Sequence, residues 1–320
     1  MFRGHKWRSF LGLLSYIKFD YYKVENEDQL FRRDERRFAM SLISLRELYT
    51  EYSPAGAVCG FDFINMEFAK AIIAGAEELK TPVILMVTEG GVKYAGLEYV
   101  AALGRVAAEN AHVPVVLHLD HCTSFDLIVK AISLGFTSVM IDGSALPFGE
   151  NLKLTTEVVR VAHAAGVSVE AELGRVGGKE EQIKVKKAEE TMTDPDEAVE
   201  FVAKTQIDCL AVAIGTSHGL YQGVPELNFA LLAKLNSLLN IPLVLHGGSG
   251  LPDTTVQEAI RLGIRKFNVW TELAVTQVET MRKILAEQPK LYDPRKILSP
   301  SMQAITEVVK KKILLTRIKR

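Results

Sequence analysis

The sequence predicts an α/β protein built as a (β/α)8 TIM barrel, and three observations carry that reading. Eight short apolar runs recur along the chain, amphipathic segments lie between them, and no G-x-G-x-x-G turn follows the first run. Eight strand–helix repeats are the number that closes a parallel barrel. The missing glycine turn argues against the rival, an open doubly wound sheet.

The strand candidates, in order, are AGAVCGF (55–61), PVILMV (82–87), PVVLHL (114–119), TSVMID (137–142), SVEAE (168–172), DCLAVAI (208–214), PLVLH (242–246) and RKFNV (265–269). Three of them open on proline, which a strand tolerates at its first position. Between them, MEFAKAIIAGAEELK and NLKLTTEVVRVAHAAG carry apolar residues at helical spacing, and Gly135, Gly166 and Gly263 read as helix stops. One connection is too long: from Arg175 to about Thr193 the chain is polar and charged, with two glycines at its base. A long loop on the C-terminal face of a barrel reads as functional. The final stretch, SMQAITEVVKKKILLTRIKR, reads as a terminal amphipathic helix with a solvated basic tail, placed to pack against a neighbouring subunit.

Composition narrows the function classes. The 320 residues are 48% hydrophobic and 24% charged, with a formal net charge of −1, so a large core is expected and disorder is not. That charge balance predicts no nucleic-acid and no membrane-surface partner, and an anionic substrate would have to be held by local devices. No apolar run approaches the ~20 residues of a membrane span. Cys59, Cys122 and Cys209 are scattered and form no C-x-x-C pair, which reads as reduced thiols in a cytoplasmic protein. Cys122, beside His121, reads as a helix-start cysteine rather than a ligand. Residues 1–39 open with a basic and then an apolar stretch but carry no small-residue cleavage site. They read as an appendage, with Met40 a plausible start of the single barrel domain at 40–320.

In such a barrel the strand C-termini converge on one mouth. Strand three brings Asp120 and His121 there, strand four Asp142, strand five Glu170 and Glu172, the segment after strand six His218, and strand seven His246. Three imidazoles with an open fourth position are a catalytic zinc arrangement. Alternation turns His118 away from His121 and gives it a core or supporting role. His163 on a helix and His112 before a strand read as structural or exposed.

Glycine-rich turns follow strands seven and eight, HGGSG (246–250) and NVWTEL (268–273), where these barrels most often hold phosphate. Gly247 and Gly248 permit close backbone approach, and Ser249 and Thr271 add hydroxyl donors. A metal, a phosphate site and spare carboxylates together suggest chemistry next to a carbonyl, either aldol cleavage or ketose–aldose isomerisation.

The motifs HLDH, MIDGSALPFGEN, VEAELGRVGG, AIGTSHGLYQG, LHGGSGLP and NVWTEL, in that order from about residue 40 onward, resemble the class II (metal-dependent) ketose-bisphosphate aldolases. The resemblance implies reversible cleavage of fructose or tagatose 1,6-bisphosphate to dihydroxyacetone phosphate and glyceraldehyde 3-phosphate. A related aldolase acting on a deoxy-keto-gluconate phosphate and a metal-dependent sugar-phosphate isomerase are the alternatives. It implies His121, His218 and His246 as ligands of a catalytic Zn2+, with Asp142 and Glu172 at a second, buried metal position. It further implies Asp120 as the acid–base group at the aldehyde oxygen and Glu180 as the base that deprotonates dihydroxyacetone phosphate. The substrate grip falls on Gly219, Gly247, Gly248, Ser249 and the Asn268–Val269–Trp270–Thr271 turn, with Thr88 near the phosphate. A monovalent cation in the glycine-lined pocket and a homodimer or homotetramer are further implications. Three positions depart from the family pattern: Asp62 stands where asparagine is usual, Trp270 where a smaller residue is common, and Lys179 directly precedes Glu180.

Overall fold

The computed structural model describes residues 42–52, 56–180, 183–185, 191–219, 223 and 225–317. They belong to one compact unit, Met40–Arg320. The expected appendage at 1–39 lies outside the described residues.

Eleven strands are described: β1 Val58–Asp62, β2 Val83–Thr88, β3 Val115–Cys122, β4 Ser138–Ile141, β5 Ser168–Leu173, β6 Gly177–Glu180, β7 Ile183–Val185, β8 Cys209–Val212, β9 Ser217–His218, β10 Leu243–Leu245 and β11 Ile264–Val269. Eight of them close a barrel in the order β1-β2-β3-β4-β5-β8-β10-β11, and β11 pairs in parallel with β1. Each coincides with one of the eight apolar runs. The runs are nearly continuous because both faces of such a strand are buried.

Alternation along the strands separates two apolar layers. Val58, Ile84, Met86, Val116, Met140, Cys209, Ala211 and Val244 point into the barrel, over a floor of Ile43, Leu45 and Leu48. Their neighbours, among them Phe61, Leu85, Leu117, Val139 and Phe267, point outward under the helices. Gly135, Gly166 and Gly263 follow helix ends with φ of 94°, 74° and 127°, as stop residues should.

The floor is the helix Leu45–Glu51, started by a capping box in which the Glu47 backbone N–H donates to Ser44 Oγ and the Ser44 N–H donates to Glu47. Arg46 clamps it by donating to Asp208 at 2.7 Å, and His163 Nε2 meets the other oxygen of Asp208 at 2.9 Å. His163 is therefore structural, and His112 is an exposed partner of Glu77.

Three expectations need correction. The long connection after β5 is not a plain loop: β6 and β7 form an antiparallel hairpin, and β6 also pairs in parallel with β9. The terminal helix begins earlier than expected, at Pro294, carries Pro300 within it and runs to Thr316. It packs on its own barrel, with Val309 so close to Gly75 that a Cβ there would lie 2.7 Å from Val309 Cγ1. Finally, β3 does not alternate to its end. His121 has φ of +44° and the β3–β4 register shifts between Leu119 and Cys122, so this bulge turns His121 to the same side as His118 and Asp120. Among the described residues no helix is long and apolar enough to cross a membrane.

Candidate active site

The bulge assembles the site. With His121 turned inward, its ring lies 4.4 Å from that of His246 and 5.1 Å from that of His218, centroid to centroid. One nitrogen from each of the three rings falls within 4.8 Å of the others, a spacing that suits one metal ion. A cleft of about 590 Å³ opens above them, lined by Asp62, His121, His218, Gly219, His246, Gly247, Gly248, Ser249, Asn268, Trp270 and Thr271.

Carboxylates set the orientation of two rings. His121 Nδ1 meets Asp142 Oδ2 at 3.0 Å, which leaves Nε2 as the nitrogen a metal could take, and the backbone N–H and hydroxyl of Ser144 donate to the other Asp142 oxygen. Burial would raise the Asp142 pKa, but the His121 and Ser144 contacts outweigh it and hold the carboxyl below its ordinary value. His246 lies between Glu172, 3.1 Å from Nδ1, and Glu170, 3.0 Å from Nε2. Only an imidazolium can donate to both. Burial and His121 oppose that charge, the two carboxylates outweigh them, and His246 is raised to about 9. His121, Asp142 and Glu172 also form a second group whose ligand atoms lie within 4.8 Å.

Asp120 is buried beside this cluster. Its Oδ1 meets His118 Nε2 at 3.3 Å and Lys266 Nζ at 3.7 Å; its Oδ2 accepts from Asn268 Nδ2 at 3.2 Å and lies 3.9 Å from His121 Nε2. Burial pushes its pKa up, yet Lys266 and the histidines prevail, and the carboxyl is held well below the usual range. Lys266, fully buried, makes its short ion pair with Glu170 at 2.8 Å. Sequence reading missed Lys266, although its two-residue spacing from Asn268 places both on the inner face of β11.

The glycine turn lies across the cleft. A Cβ on Gly247 would approach the Ser217 oxygen to 2.6 Å, and one on Gly248 the Phe267 ring to 2.6 Å, so only glycine lets this backbone pack so closely. Trp270 and Thr271 open the 17-residue helix Thr271–Glu287, whose N-terminal end therefore faces the cleft, a natural seat for an anion. The Trp270 indole packs on Phe68 at 5.3 Å while lining the cleft. Asp62 is buried and lines it too.

Other expected residues sit elsewhere. Thr88 caps the next helix, its Oγ1 accepting the Gly91 N–H, and is not part of the cleft lining. Val269 turns outward into the layer beneath the helices, so any contact it makes with substrate would be through its backbone. Cys122 also faces that layer. Glu180 ends β6, and its side chain, like that of Lys179, lies outside the described residues. The hairpin pairing nevertheless ties this strand to the imidazole cluster, since Gly178 is the register partner of His218.

Comparison with known proteins agrees with this fold. The sequence profile of the family described as fructose-bisphosphate aldolase class-II matches residues 47–319. The chain is 47% identical over 274 residues to a fructose-bisphosphate aldolase of Geobacillus stearothermophilus, covering 84% of this chain and 95% of the relative. It is 45% identical, with the same coverage, to a probable fructose-bisphosphate aldolase of Bacillus subtilis (strain 168). Among solved structures, the YdjI aldolase of Escherichia coli K12 is similar with a TM-score of 0.75 and 37% identity, over 86% of this chain and 97% of that one. The barrel, the imidazole cluster and these relatives lead to one conclusion: the chain belongs to the class II fructose-bisphosphate aldolases, a metal-dependent family of carbon–carbon lyases.

Proposed function

We propose that the chain reversibly cleaves a ketose 1,6-bisphosphate, fructose 1,6-bisphosphate first, to dihydroxyacetone phosphate and glyceraldehyde 3-phosphate, using zinc held by His121, His218 and His246. One observation carries this reading: the three converging imidazoles share a cleft with a glycine-rich anion seat, and a buried carboxylate lies behind them, 3.9 Å from His121. The names of the relatives favour fructose over tagatose bisphosphate, which differs at one hydroxyl stereocentre.

When bound, the metal would polarise the ketose carbonyl and stabilise the charge that develops on its oxygen. The backbone of Gly219, Gly247 and Gly248, with Ser249, Asn268 and Thr271, grips the phosphate next to that carbonyl. The Val269–Trp270 backbone completes that region, whereas Thr88, outside the cleft lining, caps the next helix. Asp120 takes the proton of the C4 hydroxyl through Oδ2 as the C3–C4 bond breaks, and returns it to the aldehyde oxygen in condensation. Glu180 protonates C3 after cleavage and removes that proton in the reverse direction. The β6–β7 hairpin, docked on β9, closes over the reacting carbons and keeps water from them. Asp142 and Glu172 steady His121 and His246 and, with His121, offer the second metal position. The glycine-lined pocket is the place for a monovalent cation. We further read the enzyme as a cytoplasmic homodimer or homotetramer, its buried free thiols supporting that compartment.

A coupled cleavage assay on fructose and tagatose 1,6-bisphosphates in parallel, with EDTA and then with zinc restored, tests the proposal. EDTA-sensitive, zinc-restored turnover of fructose bisphosphate is expected. Absence of turnover on both sugars in metal-loaded protein would refute it. The Asp120→Ala variant should lose cleavage while still exchanging the C3 proton of dihydroxyacetone phosphate, and retained cleavage would remove Asp120 from its role.

A further inference from the structure

Beneath the imidazole cluster lies a second polar layer. His118, Asp120 and Glu170 bring ligand atoms within 4.8 Å of one another, a set that by composition would suit a metal ion. Here the cation is supplied by the chain itself: Lys266 Nζ stands 2.8 Å from Glu170 Oε2 and 3.7 Å from Asp120 Oδ1. All four side chains are buried, His118 is anchored from its other nitrogen by Ser138 Oγ at 2.8 Å, and the lysine comes from the opposite side of the barrel sequence, on β11. No ionic group is excluded from water in this way without consequence, because burial of each costs several kcal/mol unless its partners are well placed.

The layer divides the two oxygens of Asp120. Oδ1 faces inward to His118 and Lys266, whereas Oδ2 faces Asn268 and His121, both of which line the cleft. With Oδ1 held between the His118 ring at 3.3 Å and the ammonium charge at 3.7 Å, the carboxylate resists turning Oδ2 away from the reacting hydroxyl. The same ammonium grips Glu170, whose second oxygen meets His246, so the lysine stands at the junction between Asp120 and one imidazole of the cluster.

We propose that Lys266 is a positioning residue for carbon–carbon bond cleavage, its buried ammonium holding Asp120 so that the second carboxylate oxygen faces Asn268 and His121. This rests on the aldolase reading and on Asp120 as the group that handles the hydroxyl proton. It adds that the proton transfer at Asp120 depends on a residue that touches neither substrate nor metal.

Two variants and two assays test it. Lys266→Met removes the charge at similar length and leaves Asp120 and Glu170 without their shared ammonium, though still in contact with His118, Asn268 and His246. Lys266→Met with Glu170→Gln removes one charge of each sign, so it keeps the charge balance of the layer should the single variant fail to fold. In both, kcat for cleavage should fall about a hundredfold, the lower range for a misplaced acid–base group, with KM within about threefold of the parent. In the single variant, deuterium exchange into dihydroxyacetone phosphate, followed by NMR, should stay within about threefold because it bypasses Asp120, and zinc content should not change. Cleavage that recovers in the double variant would reduce Lys266 to a counter-ion for Glu170 and overturn the proposal. So would exchange that falls in step with cleavage, since the lysine would then act on the whole site. An unsubstituted enzyme that neither cleaves nor exchanges would instead refute the aldolase reading, and this inference with it.

Discussion

Substituting Gly178 by alanine tests whether the hairpin and the imidazole cluster work as one unit. Gly178 has φ of 93°, and a Cβ built on it would lie 2.3 Å from the His218 carbonyl oxygen, 2.7 Å from the His218 nitrogen and 2.9 Å from Ser217 Oγ. The left-handed backbone alone costs a residue with a Cβ roughly 1–2 kcal/mol. Overlap with the backbone, which cannot swing aside as a side-chain tip can, adds about 1–3 kcal/mol. A total of about 3 kcal/mol corresponds to about a hundredfold shift in an equilibrium at 1.36 kcal/mol per tenfold. The cheapest relief is for β6 to part from β9, because these strands form a small sheet outside the barrel and, among the described residues, two residue pairs join them. Glu180 would leave with β6. Cleavage should therefore fall by about a hundredfold while the barrel unfolds at nearly its original temperature, a combination read by the coupled assay beside calorimetry. The reasoning is refuted if activity stays within about threefold, or if Tm drops by roughly 6–12 °C with kcat untouched, the shift expected were the same cost charged to global stability.

Three further outcomes follow from other parts of the molecule. In metal-stripped protein, stability should peak near pH 6.5 and fall on both sides. Burial and Lys266 lower the His118 pKa, so its contribution is full above the unfolded value of ~6.5 and lost as pH falls below it. His246 is raised to about 9, so its contribution is full below ~6.5 and lost as pH rises through 9. A Tm that climbs from pH 6.5 to 9 would contradict this. Glu272→Gln should raise the KM for the ketose several-fold and cost about 2 kcal/mol, less than a fully buried pair because Glu272 is partly exposed. Glu272 Oε1 accepts both Lys312 Nζ at 2.5 Å and the Gly250 N–H at 2.8 Å, which ties the terminal helix to the glycine turn; an unchanged KM would cut that link. At pH 8 the native protein should react with no thiol reagent and the denatured chain at three sites. Burial pushes Cys59 and Cys122 up to about 12 and Cys209 higher than its ordinary value, and labelling of folded protein would speak against it.

The barrel was legible because burial on both faces leaves little choice of residue. Each strand writes itself as an apolar run, and each run ends where chemistry begins, as in VPVVLHLDHC. The β6–β7–β9 sheet was not legible for the opposite reason. Its strands are short, glycine-rich or charged, as in GGKE, and the β6–β9 pairing joins positions far apart in sequence, which no local pattern records. Lys266 was hidden by its type. A lysine in RKFNV reads as a solvent-facing residue, since lysine is almost never fully buried unless paired, and its partners Glu170 and Asp120 lie on other strands.

His121 shows most clearly where a two-residue period stops being a guide. Strict alternation puts His118 and Asp120 on one face and His121 with Leu119 on the other, which would send an imidazole into the apolar layer under the helices. A single left-handed residue resets the count: Leu119 and Cys122 remain outward, and Asp120 and His121 are both turned inward. That conformation is uncommon for a residue with a Cβ and costs of order 1 kcal/mol. The compensation is at the same spot, in the Asp142 carboxylate that takes His121 Nδ1 at 3.0 Å. Adjacent residues on a regular strand could never present a carboxylate and an imidazole to the same side of the sheet. The bulge is thus what lets one strand supply both the proposed proton carrier and a ligand for the metal, 3.9 Å apart.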